Sequence, residues 1–154
     1  MKALYDVSVI TINYNSSQHT LNCVQTVLES VSTQLKIQVI VVDNNSSEED
    51  FLNLLQLNEI PHVNICRSRY NLGFAAGNMF GVQFANSDYY FFLNNDCELL
   101  NDAISVLYDF CQKNKNVGLC SPQLISPQGV PQHCSDYFPD LSSKFFGTES
   151  PLVL

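Results

Sequence analysis

Asp96 closes the run Tyr89-Tyr90-Phe91-Phe92-Leu93-Asn94-Asn95-Asp96, five large apolar side chains followed by three short polar ones. The pattern is that of a buried strand delivering a carboxylate to the edge of a sheet. An acid so placed can hold a metal ion over a phosphate. Three further apolar runs end in polar residues. Asn13, Tyr14 and Asn15 follow the first, Asp43, Asn44 and Asn45 the second, and Arg67, Ser68, Arg69 and Asn71 the third. Parallel strands would place all four clusters on one edge, and open α/β sheets bind ligands outside the carboxyl ends of their strands. Asn and Asp also end strands and cap helices in any fold. That ordinary reading is kept for Asn44, Asn45 and Ser46, which lead into a helix. Two carboxylates and two arginines in four aligned clusters favour a ligand.

The elements that must position these residues follow from periodicity. Strands are expected at Val7–Ile12, Ile37–Val42, Val63–Cys66, Tyr89–Leu93 and Val117–Ser121, the second almost continuous Ile and Val as in a strand covered on both faces. Leu21, Val24, Val27, Leu28 and Val31 recur at helical spacing after Ser17. Ser46-x-x-Glu49 has the form of a capping box for a second helix. Gly73 to Ala85 reads as a third. Asn101 or Asp102 caps a fourth that runs to about Asn114. Strand and helix alternate, which predicts right-handed crossovers and a mostly parallel sheet. The expected division is an α/β domain over residues 1–122, then a region over 123–154 with a turn at Pro127-Gln128-Gly129. The apolar ending Pro151-Leu152-Val153-Leu154 reads as a fragment boundary.

Asn71-Leu72-Gly73-Phe74-Ala75-Ala76-Gly77-Asn78 is the second unusual stretch. Gly73, Gly77 and Gly81 share one helical face. Each interior Gly costs roughly 1 kcal/mol against Ala, so three need a reason. Close approach of a ligand and tight helix–sheet packing both supply one. No Gly-x-Gly-x-x-Gly fingerprint follows the first strand, which argues against a dinucleotide enzyme.

Composition narrows the classes. The 154 residues carry a net charge of −8, which disfavours a nucleic-acid partner. A 45% hydrophobic and 14% charged chain has the material for a core. No apolar run approaches the ~20 residues of a membrane span, and the N-terminus lacks a secretory signal; a cytoplasmic location is expected. The six cysteines contain no Cys-x-x-Cys pair, which argues against a zinc site; Cys23, Cys66, Cys111 and Cys120 read as small buried hydrophobes, while Cys97 follows Asp96 at the expected ligand edge.

Together these residues resemble family 2 glycosyltransferases of the GT-A fold, a three-layer α/β/α sandwich. Val7 to Asn15 is similar to their opening strand and Tyr-Asn turn, and Val41 to Ser46 to their second-strand aspartate motif. Asn71 to Asn78 resembles a signature of the rhamnosyltransferase-like branch, and Leu93-Asn94-Asn95-Asp96 that branch's form of the DXD motif. The resemblance spans roughly residues 7 to 140. It implies that Asn13, Tyr14 and Asn15 line a nucleobase pocket and that Asp43 accepts a hydrogen bond from a uracil- or thymine-type base. Arg67, Asn71, Gly73, Asn78 and Asn95 would then lie near the base, ribose, sugar or diphosphate, and Asp96 would be the catalytic acid that holds Mg²⁺ or Mn²⁺. Two departures stand out. Asn13 replaces a common Thr, and Asn94 replaces the first acid of DXD.

The implied reaction is inverting transfer of a sugar from a UDP- or dTDP-type donor to a saccharide or lipid-linked acceptor, in surface polysaccharide or lipopolysaccharide assembly. The implied place is the cytoplasm, at the inner face of the membrane, with peripheral membrane association and homo-oligomers left open. The general base is not identified. Asp136, Asp140, Glu149 and His133 are the late candidates, none in a convincing context. The alternatives are a donor-binding fragment without turnover and a sugar nucleotidyltransferase. The second lacks its basic Gly-rich loop after the first strand.

Overall fold

Four hydrophobic runs pair side by side into one sheet in the computed structural model, which describes residues 3–132. The strands are β1 (Tyr5–Asn13), β2 (Ile37–Asp43), β3 (Val63–Arg67) and β4 (Ser87–Phe92), in the order β3-β2-β1-β4. All three pairings are parallel, as the alternation of strand and helix predicts. The helices are α1 (Ser17–Ser30), α2 (Glu48–Leu54), α3 (Gly73–Val82) and α4 (Ala103–Lys113), with a 3₁₀ turn at Leu55–Glu59.

Both faces of the sheet are covered. Val7, Val9, Val39 and Val41 pack with Val24 and Val27 of α1, Leu54 of α2 and Ile104 of α4. Ile10, Ile40 and Val42 pack on the opposite face with Phe80 and Val82 of α3. Two of the three aligned glycines explain how close α3 lies. A Cβ at Gly81 would stand 2.6 Å from Ile10 Cγ2 and 2.9 Å from Val42 Cγ2, and one at Gly77 would stand 2.9 Å from Ile12 Cδ1. Gly73 is different, since the space around it is open and its φ of +73° is what requires glycine.

The structure corrects four expectations. No strand forms at 117–121; Leu119 there is 88% exposed, and a short apolar run is no strand without a neighbour to bond. β4 is half-buried rather than buried. Side chains alternate between the two faces of the strand, so Tyr89 and Phe91 reach the core while Tyr90 and Phe92, on the other face, stay 48% and 47% exposed. α3 stops at Val82, short of Ala85. The cap of α2 is Ser47, whose hydroxyl accepts from Asp50 N, one residue later than the Ser46 box. α4 is capped by Asp102, which accepts from Ser105 N.

The chain divides into two compact units, residues 1–118 and 119–154. In the second, Gly129 N donates to Ser126 O (2.8 Å) and Ile125 bridges Pro131, so the Pro127-Gln128-Gly129 turn forms as expected. His133, Asp136, Asp140, Glu149 and the apolar terminus lie outside the described residues.

Gly81→Ala should destabilise the protein by about 1–3 kcal/mol despite its better helix propensity, because the β-branched side chains it meets sit on fixed strands. Urea unfolding measures this. An unchanged or raised midpoint would show that α3 can move away from the sheet at little cost.

Candidate functional site

One row of register carries three of the motif residues. Asn13 pairs with Asp43 across β1 and β2, and Asp43 pairs with Arg67 across β2 and β3. Asp43 is fully buried. Its Oδ1 accepts from Asn13 Nδ2 at 3.2 Å. Its Oδ2 forms an ion pair with Arg67 Nε at 3.1 Å. Arg67 is held in turn by Glu48 Oε2 (2.7 Å), Ser46 O (3.0 Å) and the ring of Phe51 (4.1 Å). The bond from Glu48 comes first among the causes that keep its pKa above the ordinary value. Glu48 is 69% exposed, so this outer pair contributes little by itself.

Asn13 is the hub beneath. It is fully buried, and its Nδ2 also reaches Ser46 Oγ (3.0 Å) and Asp50 Oδ2 (2.7 Å). Its Oδ1 accepts from Thr20 Oγ1 at 2.8 Å. Asp50, which the sequence reading passed over, accepts with its other oxygen from Ser17 N (2.8 Å). It thus caps α1 from another helix, and the α1 N-cap residue Ser16 makes no capping bond of its own. Burial pushes the Asp50 pKa up, but the bonds from Asn13 and Ser17 outweigh it and hold the carboxyl below its usual value.

Beside this network lies a cavity of about 350 Å³, within the range of small-ligand sites. β1 and the turn after it supply Ile12, Tyr14 and Ser16. Asn44 comes from the end of β2, and Asn71, Gly73 and Phe74 from the start of α3. Asn94, Asn95 and Asp96 follow β4. Tyr14 and Phe74 are 51% and 64% exposed, a pair of aromatic rings offered to a ligand. α3 begins here without a side-chain cap.

Of the expected site residues, Tyr14, Asn71, Gly73, Asn95 and Asp96 line the cavity. Asn13 does not; it is turned inward and orients Asp43. Asn15, at φ +49°, ties the two loops together, donating from its N to Ser46 Oγ and accepting from Ser47 N. Arg67 is committed to Asp43 and Glu48. Asn78 lies one turn inside α3 and donates back to Phe74 O. Asn44 and Ser46 are more than the helix leaders expected. Asn44 donates to Asn71 Oδ1 (2.9 Å) and Gly73 O (3.3 Å) and accepts from Leu72 N (2.8 Å), so it fixes the glycine turn. The signal for Asn44 was its position, one residue beyond a strand-end acid.

The Asn94–Asp96 turn is anchored from α1. Asn95 Nδ2 donates to Ser16 Oγ (2.7 Å) and Thr20 Oγ1 (2.9 Å), and the Cys23 thiol points at Asn94 O (3.7 Å). Burial raises the Cys23 thiol to about 12, so it stays protonated as a small hydrophobe. Asp96 is exposed, with the Cys97 thiol 3.8 Å from its Oδ1. Among the described residues no three His, Cys, Asp or Glu side chains converge as a metal cluster. One hard carboxylate on an open rim suits a cation that takes most of its ligands from phosphate and water.

Residues 8–138 match the family model of glycosyl transferase family 2. The chain belongs to that family. No curated protein matched the sequence. Among solved structures, S. aureus TarS 1-349, the same protein in complex with UDP-GlcNAc, and its complex with UDP each align at TM-score 0.63 and 15% identity. Each alignment covers 71% of this chain and 33%, 32% and 33% of theirs. The likeness establishes the shared GT-A fold. This family 2 domain spans about a third of those chains' length. Among its described residues, no helix is long and apolar enough to cross a membrane.

Asp50→Asn should lower stability by about 1.5–3 kcal/mol at pH 7, because an amide cannot accept from both Asn13 and Ser17. The Asp50 pKa is depressed on folding, so its contribution is full above the unfolded value of about 3.9 and fades as pH falls through the folded value. The gap between wild type and variant should therefore narrow below about pH 4. Urea unfolding at pH 7 and pH 3 measures it, and a gap constant between them would deny the charge a role.

Proposed function

We propose that this chain is the donor-binding part of a glycosyltransferase that moves a sugar from a nucleoside diphosphate to an acceptor hydroxyl with inversion. The observation that carries the reading is the cavity on the carboxyl edge of the sheet, with aromatic rings, asparagine amides and one exposed carboxylate around it. The resemblance supports Asp43 as the acceptor for the ring N–H of a uracil- or thymine-type base, although here it is buried against Arg67 Nε (3.1 Å) and does not border the cavity. The rings of Tyr14 and Phe74 offer a base stacking surface. The start of α3 at Gly73 and Phe74 is a favourable end for a diphosphate. Family membership and the UDP-GlcNAc and UDP complexes of S. aureus TarS support a nucleotide-sugar donor.

In the proposed reaction the acceptor oxygen attacks the anomeric carbon as the bond to the diphosphate breaks, and the hydroxyl proton passes to a general base. Asp96 would hold Mg²⁺ or Mn²⁺, which supplies charge neutralisation at the leaving diphosphate. Asn95 and Asn71 would orient the ribose and sugar. The Asn71 to Asn78 signature supports the rhamnosyltransferase-like branch, and with it surface polysaccharide assembly on a lipid-linked or saccharide acceptor at the cytoplasmic face of the membrane.

A second reading, donor binding without turnover, is favoured by one observation. Among the described residues, Asp96 is the only acid lining the cavity, and none of them places a second carboxylate there to take the acceptor's proton.

With UDP or dTDP and Mn²⁺ at 100 times the dissociation constant, stability should rise by roughly 2.7 kcal/mol. Asp96→Ala should remove the Mn²⁺-dependent part of that rise and leave the rest. Thermal unfolding with and without EDTA measures both. An Asp96→Ala protein that still responds to Mn²⁺ would place the cation elsewhere.

A further inference from the structure

A chain of hydrogen bonds runs under the cavity from the acid of β2 to the turn after β4. Asn13 Nδ2 donates to Asp43 Oδ1 (3.2 Å), and Thr20 Oγ1 donates to Asn13 Oδ1 (2.8 Å). Asn95 Nδ2 then donates to Thr20 Oγ1 (2.9 Å) and to Ser16 Oγ (2.7 Å). Thr20 is fully buried on the inner side of α1 and does not line the cavity. Its one hydroxyl serves both directions, accepting from Asn95 and donating to Asn13.

We infer that Thr20 is a positioning residue, whose hydroxyl fixes Asn95 and so sets where the Asp96 carboxylate stands relative to Asp43. The inference rests on the reading above, in which Asp96 holds a cation at the diphosphate. Asp96 is exposed, and among the described residues its carboxylate meets only the adjacent Cys97 thiol (3.8 Å), so its placement depends on the turn that carries it. Asn95 is anchored only through α1 among the bonds its side chain makes. The two N–H groups of Asn13 Nδ2 are shared among Asp43, Ser46 and Asp50, so it keeps its place without Thr20. Loss of the Thr20 hydroxyl therefore acts on the Asp96 end more than on the Asp43 end. Thr20 Oγ1 also lies 3.4 Å from Ser16 O, the back-bond of an ordinary helical threonine. A residue serving only that bond would affect helix stability and not cation binding.

Three probes on the full chain separate these roles, namely uridine, UDP, and UDP with Mn²⁺, each measured by calorimetry. Thr20→Val keeps the shape and removes the hydroxyl. It should reduce the Mn²⁺-dependent gain in UDP affinity by about tenfold while changing uridine affinity by about twofold or less. Thr20→Ser restores the hydroxyl and should recover most of the gain. The inference is overturned if Thr20→Val keeps the full gain, if Thr20→Ser is as poor as Thr20→Val, or if uridine and UDP–Mn²⁺ weaken equally. Should Thr20→Val not fold, Ser16→Ala removes the other anchor of Asn95 and should lower the same gain; an unchanged gain overturns the inference. A wild-type chain that binds UDP with no gain from Mn²⁺ refutes the cation reading of Asp96 itself, a result distinct from any of these.

Discussion

A carboxyl group with no access to water must find all its partners inside the protein, and Asp43 sets that demand at the end of β2. Much of the local architecture answers it. The parallel register places Asn13 on one side and Arg67 on the other. Neither partner is self-sufficient. Arg67 is steadied by Glu48, Ser46 O and Phe51, all from the loop and helix after β2. Asn13 is steadied by Asp50 of α2 and Thr20 of α1. Three strands and two helices therefore converge on one buried acid. Leaving any member unpaired would strand a buried polar group, so the arrangement resists piecemeal change.

The same demand divides the motif residues into two groups that look alike in sequence. Tyr14, Asn71, Gly73, Asn95 and Asp96 border the cavity. Asn13, Asn15, Arg67 and Asn78 hold the frame. Strand alternation explains part of this. Asn13 and Asp43 fall on the face covered by α1 and α2, where Asp50 and Thr20 meet them. Asn44, one residue further, falls on the face of α3 and meets Asn71 and Gly73. An asparagine at a strand end can thus serve opposite sides of a sheet according to a single step in register.

The fold was legible because periodicity is local: among the described residues four of the five expected strands and the four expected helices form near where the apolar pattern places them, and only the strand at 117–121 fails. Two kinds of feature were not. Contacts between distant elements leave no mark in a window of sequence. Asp50 looks like one acid among Glu48, Glu49 and Asp50 in a first turn, and only the approach of α1 gives it Ser17 and Asn13. Sheet position is the other. Tyr89–Phe92 reads as buried from hydrophobicity alone, but only Tyr89 and Phe91 face the core, and the other face of the strand stays open at Tyr90 and Phe92. The aligned glycines were read correctly as an anomaly, yet space decides their use. Gly77 and Gly81 admit the sheet, while Gly73 takes a backbone angle beside the cavity.

A lone carboxylate at position 96 also constrains the order of events. A site with three or more protein ligands binds its ion ahead of any substrate, whereas one acid on an exposed rim cannot hold Mg²⁺ or Mn²⁺ with much affinity. Under the proposed function the diphosphate supplies the missing oxygens, so cation and donor strengthen each other's binding by the same factor. The cation then marks an occupied donor pocket and is absent from an empty one. Such coupling works only if the acid stands at a fixed distance from the base-recognising end. In this chain the groups able to fix that distance are the buried Asn13 and Thr20 side chains and the Asn95 amide, which joins them to the cavity rim.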